Sequence, residues 1–241
     1  MPEKSRPGPA DSVWTRPAPP RHRSLGRAEI VAAAIGLADE QGAEALTMKA
    51  VAHRLGPYTP MALYRYVSHK DGLVDLMLDT AMAEVRVPES AGTDWREDLR
   101  ALAVDTRAMI TRHPWYARLA HTRAPLGPNL MRRLEFLLTV LTAQGATISA
   151  AMTYAALIDR HIIGSGLQEA EETRLRHRTG LADDAAFVAA ITALRDLAEE
   201  SGRYPLLTRW FGDPGGATPD ERFDLGLTFL LDGIASRLAA G

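Results

Sequence analysis

The chain has 241 residues, of which 46% are hydrophobic and 24% charged, as in an ordinary globular protein. It contains no cysteine, which excludes disulfides, thiolate zinc sites and cysteine nucleophiles. An apolar run of 18 residues and an N-terminal signal pattern are both missing, which predicts a cytoplasmic protein with no membrane partner.

The net charge of −2 is unevenly distributed. Residues 1–70 carry ten Lys/Arg against six Asp/Glu, whereas residues 71–241 carry eighteen against twenty-four. A basic first part and an acidic remainder indicate one end that binds nucleic acid and one that avoids it. A chance distribution with a basic tail is the alternative.

Residues 1–25 hold six of the fifteen prolines and little apolar periodicity, so they are predicted to be a disordered tail. From Gly26 onward the periodicity is helical, and the predicted fold is all-α. Residues 26–72 are predicted to form a DNA-binding domain of three helices. Residues 73–241 are predicted to form a larger helical bundle for ligand binding and dimerisation.

The first predicted helix runs from Arg27 to Gln41, and Thr47 caps a second one that ends at Gly56-Pro57. Thr59 caps a third helix, with Pro60 at its first position. Two short helices joined by a tight turn that contains glycine make a helix-turn-helix. Six further helices are predicted over residues 70–85, 94–111, 129–144, 149–176, 183–200 and 220–239.

The third helix has the surface expected of a recognition helix in the DNA major groove. Leu63 and Val67 can pack inward, which leaves five outward positions: Thr59, Met61, Ala62, Arg65 and Tyr66. Lys49 and Lys70 are placed to contact phosphates. Tyr58 covers the turn or reaches a phosphate. In the alternative interpretation, Tyr64 and Tyr66 are half-buried packing residues and the helix binds nothing.

The segments RAEIVAAAIGLADEQGAEALTMKAVAHRLG and TPMALYRYVSHKDGLVDLMLD resemble the DNA-binding domain of the tetracycline-repressor (TetR) family. Thr47, the VAxxLG step, the pair Leu63-Tyr64 and Lys70 carry this resemblance. The segments ITRHPWYARL, RAPLGPNLMRRLEFLLTVLTAQG, IGSGLQEAEE and DERFDLGLTFLLDGIASRL resemble the C-terminal part of the tetracycline-repressor branch. The family's turn between Gly56 and Leu63 is one residue shorter than the one here.

The resemblance implies a homodimeric regulator, usually a repressor, that a small molecule releases from a palindromic operator. The positions predicted to contact DNA are Thr47, Lys49, Tyr58, Thr59, Met61, Ala62, Tyr64, Arg65, Tyr66 and Lys70. The resemblance also implies a ligand pocket lined by Met109, His113, Trp115, Tyr116, Met131, Phe136, Tyr154, Leu157 and His161. Tetracycline-binding members hold a drug-bound magnesium there. Three residues of those members hold the magnesium, and Arg86 and Gln168 stand here near two of these positions. No metal or cofactor is therefore expected.

The helices predicted over residues 149–176 and 220–239 have apolar faces wide enough to contact a second chain as well as the core of their own chain. Two copies forming a four-helix bundle would cover them. The predicted dimer interface consists of Ile158, Ile162, Leu227, Leu230, Leu231 and Ile234. In the alternative interpretation, both faces are ordinary intramolecular core.

Two other classes of protein fit the sequence less well. An enzyme is disfavoured because the sequence has no Gly-rich phosphate loop, HExxH, Ser/His/Asp spacing or Glu-x-x-His pair. A helical ligand-binding or scaffolding protein that does not bind DNA is favoured only by the longer turn at Pro57-Tyr58.

Overall fold

The computed structural model describes residues 25–121, 127–179, 184–212 and 216–239. The predicted disordered tail lies outside this part of the chain except for Leu25, which is buried against the core. All regular structure within the four ranges is helical, which confirms the all-α prediction. Within the same ranges, the helices are too short or too polar to cross a membrane.

Eleven α-helices lie in the described residues. They are α1 (Arg27–Gln41), α2 (Met48–Leu55), α3 (Pro60–Val67), α4 (Lys70–Met82), α5 (Trp95–Arg112), α6 (Trp115–His121), α7 (Pro128–Ala143), α8 (Ile148–Thr179), α9 (Asp184–Ser201), α10 (Pro205–Gly212) and α11 (Pro219–Ala239). A 3-10 turn, Ala43–Ala45, follows α1.

Two short helices, α6 and α10, were not predicted from the sequence. The prediction assigned HPWY to the end of the preceding helix, but α5 ends at its C-cap His113 and α6 begins anew two residues later. Helix α10 has eight residues and, unlike α2 and α3, no threonine directly before it to mark its start. Helix α4 ends at Met82, three residues before the predicted end.

The predicted helix caps are confirmed by hydrogen bonds. The hydroxyls of Thr47 and Thr59 accept bonds from backbone N–H groups three residues later, at 3.1 and 3.3 Å. Gly56 has φ +106°, a conformation in which side chains are strained, so glycine is required at the end of α2. The four residues from Gly56 to Thr59 therefore connect α2 to α3, as the sequence predicts.

The first three helices pack against one another, and their buried residues belong to a core that continues into the rest of the chain. Leu37, Val51, Leu63 and Val67 are buried in it, which confirms the inward positions predicted for α3. Helix α4 packs on α1 and α3 at one side and on α5, α6 and α7 at the other. The unit formed by α1, α2 and α3, called the head below, is therefore joined to the C-terminal bundle in part through α4.

Helix α8 is the centre of the C-terminal bundle, because α5, α6, α7 and α11 all pack against it. Helices α9 and α10 pack mainly on each other. This arrangement leaves the α9–α10 pair at the edge of the bundle.

Candidate DNA-binding surface and ligand site

Helix α3 presents its predicted outward face to solvent at three positions. Thr59, Met61 and Arg65 are exposed, and the Met61 side chain is 73% accessible. Ala62, Tyr64 and Tyr66 are half-buried and pack partly on the core. Packing was the alternative for the two tyrosines, and their partial burial agrees with it. The exposed face is therefore narrower than the predicted one, with Arg65 as its charged group.

The C-terminal end of α3 is held by a hydrogen bond from α1. Arg27 at the start of α1 donates through Nε to the carbonyl of Tyr66, at 3.2 Å, and so ties α3 to α1. His69 accepts the N–H of Gly72 through Nδ1 at 2.8 Å and caps α4 directly after α3. The bond from Arg27 favours one orientation of α3, as base readout requires.

The remaining predicted DNA contacts lie around α3. Lys49 and Lys70 are exposed, Tyr58 is 37% accessible in the turn, and Thr47 is exposed at the start of α2. Ammonium groups in these places can contact phosphates on either side of a groove. The role of each residue at DNA stays a prediction.

The predicted pocket residues differ in their burial, and their role as ligand contacts stays a prediction. Five of them are buried core: Met109, His113, Trp115, Tyr116 and Phe136. Met131 and Leu157 are exposed, and Tyr154 is half-buried. His161 stacks on the Phe223 ring, with centroids 4.9 Å apart, and bonds the Phe223 carbonyl at 2.9 Å. His161 therefore joins α8 to α11.

A cavity of about 560 Å³ lies where the head meets the C-terminal bundle. The end of α1 and the 3-10 turn form one wall, and α5, α6 and α8 form the other. Its volume is in the range of small-molecule sites. Trp115 is the one predicted pocket residue that lines it. We refer to it below as the junction cavity.

Next to this cavity, His113 lies between two carboxylates. Its Nδ1 is 2.8 Å from Asp39 of α1, and its Nε2 is 3.0 Å from Glu84 just after α4. Trp115 Nε1 also donates to Asp39, at 2.6 Å, and Arg112 donates twice to Glu84. This His113 cluster connects the head to the bundle.

Burial lowers the pKa of His113, but its hydrogen bonds to Asp39 and Glu84 and their charges outweigh burial and raise it above the ordinary value. A raised folded-state pKa stabilises the fold fully below the unfolded pKa, and this contribution is lost as pH rises through the folded value. We therefore expect the stability difference between wild type and His113→Gln to be largest near pH 6. It should shrink toward about pH 9.

Urea unfolding of both proteins across this pH range measures the difference. His53→Gln, at an exposed histidine on α2 that lies outside the cluster, is the matched control. A difference for His113→Gln that grows with pH would show that the imidazolium does not hold the cluster.

A second ionic cluster closes the other side of the junction cavity. Glu44 in the 3-10 turn pairs with Arg118 of α6 and, at 3.0 Å, with Arg174 of α8. Arg118 also pairs with Glu171 at 3.0 Å. Sequence reasoning missed Asp39 and the members of this Glu44 cluster, because their partners are distant in sequence and follow no short spacing.

A buried guanidinium lies deeper in the bundle. Arg133 on α7 is 1% accessible, donates to Thr106 at 3.1 Å and pairs with Asp159 at 2.7 Å. Its Nη2 atom has no hydrogen-bond partner within the described residues. Burial raises the pKa of the Tyr116 phenol above its ordinary value. The positive charge of Arg133 opposes this rise, and the negative charge of Asp159 adds to it. Tyr116 is therefore neutral. Arg133 and Asp159 form a buried ion pair that serves the structure of the bundle.

The dimer-interface residues predicted from α8 and α11 need correction. Ile158, Ile162, Leu227, Leu231 and Ile234 are at most 3% accessible within the single chain. The intramolecular alternative therefore holds for these five, because α8 and α11 bury them against the same core. Leu230 is half-buried.

Other apolar residues of these helices remain exposed. Met152 and Leu157 on α8 are 44% and 37% accessible, and Leu225 and Phe229 on α11 are 51% and 66% accessible. The α9–α10 pair exposes a further set: Val188, Leu194, Leu197, Leu206, Leu207 and Trp210. A surface of this kind marks an interaction site in a globular protein.

The three-helix head and the bundle behind it define a two-domain helix-turn-helix protein. Residues 30–77 match the model "Bacterial regulatory proteins, tetR family", and residues 87–238 match "Tetracyclin repressor-like, C-terminal domain". The chain belongs to the TetR family.

Two relatives and one solved structure illustrate the similarity. The HTH-type transcriptional repressor DrrR1 of Streptomyces coeruleorubidus is 37% identical over 85% of this chain and 75% of its own length. An HTH-type transcriptional regulator of Saccharopolyspora erythraea is 34% identical over 95% and 93%. The Streptomyces coelicolor TetR family protein ActR, in complex with actinorhodin, has a TM-score of 0.75 at 26% identity, covering 89% and 99% of the two chains.

Proposed function

We propose that this chain is a homodimeric repressor that binds a palindromic operator through α3, acts in the cytoplasm, and is released by a small molecule. The observation that carries the proposal is the exposed face of α3, tied to α1 at its C-terminal end inside a TetR-type DNA-binding domain. Arg65 on this face can read guanine, and the Met61 side chain can contact a thymine methyl.

A twofold dimer would present two copies of α3 about 34–36 Å apart, the distance between successive major grooves. The exposed apolar residues of α8, α11 and the α9–α10 pair offer the surface for a second copy. A small molecule can release the operator only by binding one arrangement of the heads more tightly than the other. The ActR–actinorhodin complex supports a ligand as the signal, since it is a small-molecule complex of a protein with this fold.

The test is a mobility-shift titration with a duplex from immediately upstream of the protein's own coding region. If Lys49 and Lys70 of both copies contact phosphates, log affinity should fall with log salt at a slope of about −3.6. A scrambled duplex of equal length is the control. Binding to neither duplex, or salt-independent binding, would contradict the proposal and leave the ligand-binding or scaffolding protein as the function.

The dimer has its own prediction. Phe229→Asp places a charge in the proposed apolar interface and should shift the protein from dimer to monomer, because an unpaired buried charge is costly. Sedimentation velocity measures the two species. Val104→Asp, at an exposed residue of α5 that is 44% accessible, is the control and should stay dimeric. If the Phe229→Asp protein were as dimeric as wild type, the interface would lie elsewhere on the chain.

A further inference from the structure

We propose that the junction cavity is a ligand site for an aromatic molecule with one protonated amine, and that the occupant alters operator affinity by contacting the head directly. This site differs from the pocket predicted in the bundle core, with which it shares only Trp115. The regulatory part rests on the proposed function, whereas the binding part does not.

The walls of the cavity suit an apolar body. Ile110, Leu167, Ala170 and the aromatic residue Trp115 line it, along with Ala38 from the head. Apolar walls that enclose a few polar groups are typical of small-molecule sites, and an indole can stack on an aromatic ligand. The cavity is therefore built for an apolar ring with a polar substituent.

The charges around the cavity favour a cation. Three carboxylates line it, Asp39, Glu169 and Glu171, against the two guanidiniums of Arg118 and Arg174. Both guanidiniums are engaged with Glu171, and Arg174 also holds Glu44. An anionic ligand would meet guanidiniums whose charge these carboxylates already neutralise.

A cation can bond carboxylate oxygens that are not yet engaged. The bonds to Asp39 from His113 and Trp115 both end on Oδ1, and those to Glu169 from Arg107 both end on Oε1. Among the described residues, the second oxygen of each carboxylate accepts no hydrogen bond. An ammonium group has three donors, and either oxygen can accept one of them.

The position of the cavity gives the ligand a direct effect on DNA binding. Ala38, Asp39, Gln41 and Gly42 belong to α1 or its end, and α1 packs on both α2 and α3. The His113 and Glu44 clusters join the head to the bundle on either side. A ligand that contacts both walls must bind differently when the head moves, and this differential affinity is the requirement for coupling.

Three naphthalene probes, with operator DNA left out, test the site. They are 2-(1-naphthyl)ethylamine as the cation, 2-(1-naphthyl)ethanol as the neutral analogue and 1-naphthylacetate as the anion. Isothermal titration calorimetry should show the amine binding at least tenfold more tightly than the other two. Equal affinity for all three, or tighter binding of the acetate, would overturn the ligand class.

The position is tested by filling the cavity. Ala170→Trp, with Ala170→Leu as a smaller change should the first not fold, should weaken amine binding at least tenfold. Ala108→Trp, at an exposed alanine of α5, is the control and should leave it unchanged. Unchanged binding in a folded Ala170 variant would overturn the site.

The regulatory part is then measured in mobility shifts. The amine should weaken operator binding by wild type and by Ala108→Trp, and should have no effect on the Ala170 variant. Amine binding without any change in operator affinity would overturn the coupling. Should the protein bind no duplex at all, the proposed function fails, and the calorimetry still decides the ligand site.

Discussion

Replacing Arg65 with alanine is expected to weaken binding to the matched operator by about 1–3 kcal/mol per half-site and to change binding to a scrambled duplex little. Arg65 is the exposed charged group on the face of α3. A guanidinium that bonds a guanine edge contributes only where that base is present, so its loss lowers discrimination more than general affinity. Mobility shifts on both duplexes measure the two effects.

Lys70→Ala is the matched comparison, because Lys70 is exposed at the start of α4 and is predicted to contact a phosphate. It should weaken binding to both duplexes by the same factor and reduce the salt slope by about 2 for the dimer. If the Arg65 variant also lost equal affinity on both duplexes, base readout would not lie on this residue.

Asp79→Ala is expected to lower the free energy of unfolding by about 2–4 kcal/mol. The Asp79 side chain is buried in α4 and accepts three hydrogen bonds at the start of α7. They come from the backbone N–H groups of Asn129 and Leu130, at 2.9 and 3.2 Å, and from the Asn129 side chain, at 2.8 Å. Alanine would leave these donors without their acceptor and remove a carboxylate from a helix N-terminus.

The close approach of the two helices depends on Gly127. A Cβ at this position would lie 2.2 Å from Oδ1 of Asp79, so a larger residue would displace the carboxylate. Urea unfolding measures the Asp79→Ala effect, and Thr80→Ala, at the exposed neighbour on α4, is the control. Equal midpoints for the two variants would show that Asp79 does not anchor α7.

Local features of the sequence were sufficient to predict the head. The caps Thr47 and Thr59, the stop at Gly56 and the inward spacing of Leu63 and Val67 all act within a few residues. Short-range hydrogen bonds and helical periodicity determine these features, so a reading of the chain in order finds them.

The bundle was predicted less well where an apolar face has two possible partners. The periodicity that makes Leu227 and Ile158 apolar does not say whether they face the same chain or a second copy. In the structure they are fully buried inside one chain, and Phe229 and Leu225 are exposed instead. The number of helices that surround α8 determines whether such a residue is buried in its own chain. Periodicity along one helix carries no information about that number.

The amino-acid sequence by itself determined the all-helical fold, the family, and the exposure of Arg65 and Met61 on α3, because each follows from periodicity and local capping. Only the tertiary structure decided which groups meet at the junction cavity. Asp39, His113 and Glu84 come from three separate segments, and Glu44 meets Arg174 across 130 positions. The tertiary fold brings them together by placing the end of α1 and the 3-10 turn opposite α5, α6 and α8, because ion pairs between distant segments exist only once that arrangement has formed.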